Sequence, residues 1–495
     1  MAIASDPTAQ VAIGAAPARE RALAAPRALI AAYLAVCGLV LLLMMAIGVG
    51  MRLAQAGAIP ISPDWFYRAL TLHGVGMVGI SGLAGVVILW HFLSHHVELA
   101  HGVLAANLAL FLVGVVLLFA PVLVSGYAGA WTFLYPLPQR SGGAWSGGAA
   151  AVHLSGLLVV GVGFLLVHLE TARGIVSRYG GLGRALGWPL LLGRSQDAPP
   201  AAVVAGTMVL IVNTLGLASG ATILGMSIAS ALVPEIAIDA LLAKNLIFFF
   251  GHVFINAAIY MTVIAVYEIL PVYTGRPWKV SRVFVAAWTA AALMVVSVYP
   301  HHLLMDFAMP RWALVMGQVV SYASGVPVLL VTGFGALALV HRSGIRWDAA
   351  SRLLFLAVFG WSAGVIPAVI DGTIAVNRVM HNTLWVPGHF HFYLLLGLVP
   401  MVFGFMHFAV RGGEDASDDP IDRAAFWAFA GGGLVLILSF LAGGASGVPR
   451  RFAAHLAPWR GLDAIGAAAG AVVVAAVCVF VARFLAGLRR SGGDA

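Results

Sequence analysis

Six of the 16 histidines in this 495-residue chain sit where they can do chemistry: His73, His252, His301, His302, His389 and His391. An imidazole inside an apolar segment is costly to place and usually functional, and it ligates copper, iron or zinc. Spacing narrows the use. On a helix, residues two apart project about 200° away from each other, so His389 and His391 cannot share one ion but can serve two cofactors on opposite sides of one helix. His301 and His302 are adjacent, about 100° apart on a helix that Pro300 has disturbed. With His252 from another segment they can form a three-nitrogen metal site. His73 is left to pair with one of the two histidines at 389 and 391 around a six-coordinate haem. The other then holds a five-coordinate haem facing the three-histidine metal.

Such a site needs at least four elements meeting at one level, and the composition says what they are. Hydrophobic residues make up 61% of the chain, charged residues 9%, and mean hydropathy is +0.99, which excludes a water-soluble domain of this length. Apolar runs of about 20 residues fall at 27–52, 65–93, 103–126, 147–170, 202–233, 243–270, 282–304, 312–340, 352–376, 380–410, 424–446 and 463–488. The expected fold is all-α, a polytopic membrane bundle of about twelve transmembrane helices. Connections are short, so 27–490 forms one domain. The Ala- and Pro-rich stretch 1–26 lacks the features of a signal peptide and is expected to be a disordered cytoplasmic tail, with 491–495 a second short tail.

The net charge of +8 matters less than where the cations sit. Arg19, Arg21 and Arg27 precede the first span. Arg173, Arg178, Arg184 and Arg194 follow the fourth, Arg276, Lys279 and Arg282 the sixth, Arg342, Arg346 and Arg352 the eighth, and Arg489 and Arg490 close the chain. With an even number of spans, all fall on one side, the cytoplasm of a bacterial inner membrane, and no nucleic-acid partner is needed to explain them. Counting inward from the outer face at about 1.5 Å per residue, His73, His252, His389 and His391 lie roughly 12–17 Å deep. His301 and His302 lie near the outer end of span seven, so six imidazoles from four helices converge on one outer layer.

The remaining histidines have blander uses. His91, His95, His96 and His101 lie at the inner end of span two, and His341 and His407 at span ends, all expected to be interfacial. His153 and His168 belong to span four, with nothing to pair His153. Cys37 and Cys478 lie inside apolar runs, with no CxxxC or CxxCH present, and are expected to be small core residues. A copper pair or c-type haem would have to belong to another subunit.

The motifs around these residues resemble the B-type branch of the haem-copper oxidase superfamily, subunit I. They are LTLHGV around His73, Gly251-His252, the histidine pair followed by Asp306, HNTLWVPGHFHF from His381 to Phe392, VPRR ending at Arg451, and GAWTFLYPLP after span three. They cover about residues 65 to 451. The resemblance implies that His73 and His391 ligate a low-spin haem, of b type, and His389 a high-spin haem of b or a type. His252, His301 and His302 would hold the non-haem metal. Arg450 and Arg451 would bind propionates, with His381 near one of them. It also implies an outer-facing electron-transfer subunit, of copper-pair or cytochrome c type, and a small gaseous substrate.

The sequence departs from that pattern where O–O chemistry is done. Oxygen-reducing members of the branch carry a tyrosine four residues after the histidine of span six, and this chain has Asn256, which lacks an acidic, redox-active hydroxyl. Tyr260 and Tyr299 are near in sequence, while the position used by C-type relatives is Val295. Positions matching the branch's proton channel read Val263, Val328 and Val331; Tyr267 of that series remains, with Thr332 and Glu268 close by. Family members without the tyrosine are chiefly nitric-oxide reductases. The sequence therefore favours reduction of NO to N2O at a site made of His252, His301, His302, His389 and Asn256, with iron favoured over copper. The alternative is a cytochrome c oxidase with a relocated or absent tyrosine.

Overall fold

Leu-, Val- and Ala-rich runs in lipid must satisfy every backbone N–H and C=O internally, which leaves helices as the economical solution. The computed structural model describes residues 26–413 and 417–491, so the predicted tails lie outside the described residues but for Pro26 and Ser491. It has 12 helices long and apolar enough to cross a membrane. They are α1 (Arg27–Gln55), α2 (Pro63–Leu93), α3 (His101–Val124), α4 (Gly147–Tyr179), α5 (Ala201–Leu232), α6 (Ala240–Thr274), α7 (Arg282–Leu303), α8 (Arg311–Val340), α9 (Ala349–Asp371), α10 (Trp385–Arg411), α11 (Pro420–Ala445) and α12 (Ala457–Arg490). Among the described residues no named strand occurs. Local chemistry sets the ends. Asp239 accepts from the Leu242 amide at 2.7 Å to start α6, Asp348 and Ser351 form a reciprocal capping box on α9, and Gly180 and Gly275 close α4 and α6 at φ 72° and 66°.

Sequential helices pack side by side, and α12 lies against both α11 and α1. Burial is uneven. The apolar windows of α2, α6 and α10 are 67%, 83% and 78% buried, against 22% for α8, so three of the four predicted histidine-bearing helices run through the interior. Two differences from the sequence reading bear on the site. Pro300 does more than disturb α7: Tyr299–Leu303 is a 3-10 turn, so His301 and His302 project about 120° apart instead of 100°. The run expected to begin span ten at 380 is interrupted, with a short helix Ile374–Met380 lying between α9 and α10, and His381 belongs to this link. Immediately after His391, Leu394–Leu398 forms a π-helical turn inside α10, a local widening often found beside functional sites.

Candidate haem and metal centre

The 3-10 turn that ends α7 presents His301 and His302 edge to face, ring centroids 4.2 Å apart, and α6 brings His252 to 4.9 and 5.2 Å from them. One ligand nitrogen from each lies within 4.8 Å of the others, the one such cluster of three among the described residues. Hydrogen bonds orient the rings. His301 Nδ1 meets Ser321 Oγ at 2.9 Å, while its Nε2 is buried without a partner. His252 Nδ1 lies 3.1 Å from His302 Nε2. Asn256 Nδ2 lies 3.1 Å from His252 Nε2 and donates to the His252 carbonyl at 2.8 Å. Asn256 therefore orients His252 from behind. Its amide offers the hydrogen-bonding half of what the sequence allowed, a ligand or a donor.

The same logic applies on the other side of α10. His73 Nδ1 faces the Met44 carbonyl and His391 Nδ1 the Pro387 carbonyl, each at 2.7 Å. A carbonyl only accepts, so each Nδ1 carries the hydrogen and each Nε2 keeps its lone pair, the tautomer an axial iron ligand needs. Gly48 makes room for the ring: a Cβ there would stand 2.8 Å from His73 Cε1. His389, two residues from His391, has its Nδ1 buried and without a hydrogen bond.

A cavity of about 650 Å³ runs between these groups, lined by all six histidines and by largely apolar walls. The loop after α3 covers part of it. Trp131 stacks on Phe390, the residue between the two α10 histidines, at 5.7 Å and 22°, and Thr132 accepts from Arg451 Nη2 at 2.8 Å. An antiparallel bridge between Thr383 and Pro449, with the Arg450 amide donating to the Asn382 carbonyl at 2.9 Å, ties the VPRR loop to the start of α10. Arg451 pays for its place with φ 65°, a left-handed backbone costing about 1–3 kcal/mol. Burial pushes the Arg450 guanidinium down to about 10, with Arg451 adding and Asp371 opposing. Burial also lowers Arg451. His381 is pushed down to about 4 by burial, then by the two arginines, and stays neutral beside them. A mouth with two crowded cations suits the carboxylates of a porphyrin. An apolar slot, nitrogens with fixed tautomers and an orphaned imidazole nitrogen together fit two haems and a third metal.

A model of the family described as cytochrome c and quinol oxidase polypeptide I matches residues 28–479. The chain belongs to that family. The chain is similar to the cytochrome c oxidase polypeptide 1 of Halobacterium salinarum, 24% identical over 82% of this chain and 68% of the relative. It also resembles the cytochrome c oxidase subunit 1 of Thermus thermophilus, 23% identical over 43% of this chain and 41% of the relative, and a probable cytochrome c oxidase subunit 1-alpha of Streptomyces avermitilis, 28% identical over 44% and 37%. Its fold matches a solved haem-copper terminal oxidase dimer with TM-score 0.73, 18% identity and coverage of 93% of this chain and 84% of that one. The polypeptide is thus a multi-pass membrane oxidoreductase of the haem-copper family.

Several residues around the cavity escaped the sequence reading. Arg52 pairs with Asp463 at 2.8 Å, Asp463 accepts from His455 at 2.7 Å, and the Arg52 guanidinium lies 4.6 Å over Phe440, whose ring is 5.0 Å from His391. Asp371 faces His389. Charged residues inside apolar runs were the available signal. His407, expected at an interface, is buried 3.7 Å from Asp348. His153 does have a neighbour, stacking on Tyr127 at 4.2 Å.

Proposed function

We propose that the chain holds a low-spin haem between His73 and His391, a high-spin haem on His389 and a metal on His252, His301 and His302, and that it reduces nitric oxide to N2O. The observation that carries the two-haem reading is the pair of fixed tautomers at His73 and His391 opposite a three-imidazole cluster, with α10 between them. Bound there, the haems and the metal supply electrons one at a time and Lewis acidity toward a small oxygen-containing ligand. The protein's own part is positioning. Met44 and Pro387 carbonyls hold two rings, Ser321 and Asn256 hold two more, and Arg450 and Arg451 balance the charge of the propionates.

Joining two NO molecules needs two electrons and two protons, yields N2O and water, and breaks no O–O bond. What supports NO is the site's chemistry: Asn256 stands against His252, and among the described residues that line the cavity none is a tyrosine. Tyr260 packs edge to face against Trp288 and Trp361, and the Tyr299 hydroxyl donates to Asn245 at 3.0 Å. Oxygen reduction is the second reading, and the names of the relatives favour it over NO. In either case electrons enter from a donor on the outer side, a cytochrome c or a small copper-pair or cytochrome c subunit. The chain sits in a bacterial inner membrane with its cationic loops in the cytoplasm. Purified protein supplied with a reduced donor decides between the gases. NO reduction predicts N2O from NO in the absence of air and little steady O2 uptake; rapid O2 uptake without N2O formation contradicts it.

A further inference from the structure

The high-spin haem ligand proposed above, His389, differs from its two neighbours in what stands behind its ring. His73 and His391 both present Nδ1 to a backbone carbonyl at 2.7 Å. His389 Nδ1 has no hydrogen bond and faces a carboxylate instead, Asp371 Oδ2, at 3.6 Å. That distance is too long for a hydrogen bond, but the carboxylate faces the ring nitrogen directly, and both side chains are largely enclosed, 17% and 10% exposed.

The carboxylate is itself held. Asn377 Nδ2, from the short helix before α10, donates to the Asp371 carbonyl at 2.8 Å and to its Oδ1 at 3.3 Å, leaving Oδ2 for the histidine. Asp371 ends α9, the helix interrupted just there by the link to Ile374–Met380, so the chain break puts the carboxylate at the level of His389. Arg450 lies within electrostatic reach of it.

We propose that Asp371 is the positioning residue of His389: it accepts the Nδ1 hydrogen once Nε2 is on iron, orients the ring and gives the bound imidazole partial imidazolate character. This rests on the assignment of His389 to a high-spin haem. A carboxylate behind a metal-bound histidine makes the ligand more basic than a carbonyl does, which stabilises the oxidised iron and increases electron donation toward the substrate side. Of the three haem ligands, only the one at the reacting haem has this partner; the two on the electron-transfer haem have carbonyls.

Resonance Raman spectra of the ferrous, ligand-free holoprotein read this directly through the iron–histidine stretch, which a merely structural role for Asp371 would leave in place. The expected result is a wild-type stretch above the range of neutral imidazole on ferrous porphyrin, falling into that range in Asp371→Asn. The midpoint potential of the high-spin haem should move positive, with the low-spin spectrum unchanged. Asn377→Ala, which removes the donor that holds the carboxylate in place, should give a smaller shift in the same direction as the carboxylate swings away from the ring. A wild-type stretch already in the neutral range, or one that Asp371→Asn does not move, overturns the proposal. If the Asp371 variant does not accumulate, the wild-type frequency alone decides. If no iron–histidine stretch is present at all, the haem on His389 is absent, and the underlying assignment fails before Asp371 is tested.

Discussion

Among single residues, the proposed function depends on the partners that orient the imidazoles as much as on the imidazoles themselves. Asn256 contacts both the ring and the carbonyl of His252, and removing an orienting partner of a metal ligand costs roughly 10- to 100-fold in metal affinity. Asn256→Ala is expected to lower metal retention by about that amount. Asn256→Tyr leaves all three nitrogens in place and keeps the metal, measured by elemental analysis of the purified protein; complete loss of metal in the tyrosine variant would contradict the placement of Asn256 behind the ring. Away from the site, His96 shows how burial couples to pH. Burial, then His95, pushes it down to about 4, whereas the unfolded value is about 6.5. Its neutral form is the folded one, so its contribution to stability is fully present above about pH 6.5 and is lost as pH falls toward about 4. Thermal unfolding in detergent should worsen across that window, and His96→Asn should flatten the slope; an unchanged slope contradicts the burial of a neutral ring.

At the scale of helices and turns, the six histidines were legible because helical period and apolar run length are local properties. His389 and His391 had to face opposite sides of one helix whatever surrounded them. What remained hidden depended on chain breaks. Pro300 converts the end of α7 into a 3-10 turn, and the interruption after Asp371 moves His381 out of α10 and brings a carboxylate to His389. A sequence period cannot locate such breaks, because they answer to tertiary packing. Arg52, Asp463 and His455, separated by up to hundreds of residues, likewise reveal their pairing only when α1 and α12 lie together. Helix packing makes one sharp prediction of its own. Gly48 on α1 leaves the space that His73 fills, and adding bulk there costs about 1–3 kcal/mol of strain at the site. Gly48→Val should deplete the low-spin haem while sparing the high-spin one, read from the reduced-minus-oxidised spectrum. Equal loss of both haems would indicate general misfolding instead.

At the scale of the whole molecule, the bundle works as a partition. Three interior helices, α2, α6 and α10, carry four of the six clustered histidines, while α8 is far more exposed. The twelve spans agree with what composition and run length implied, and the family match over residues 28–479 with what the motifs implied; the identity of the gas does not follow from either. The whole arrangement exists to bring six imidazoles to a single cavity. The most direct test is the haem and non-haem metal content of the purified wild-type chain, by pyridine haemochrome spectrum and elemental analysis on the same sample. Two haems and one further iron or copper per chain are expected. A chain that holds one haem or none, or two haems with no additional metal, contradicts the site described.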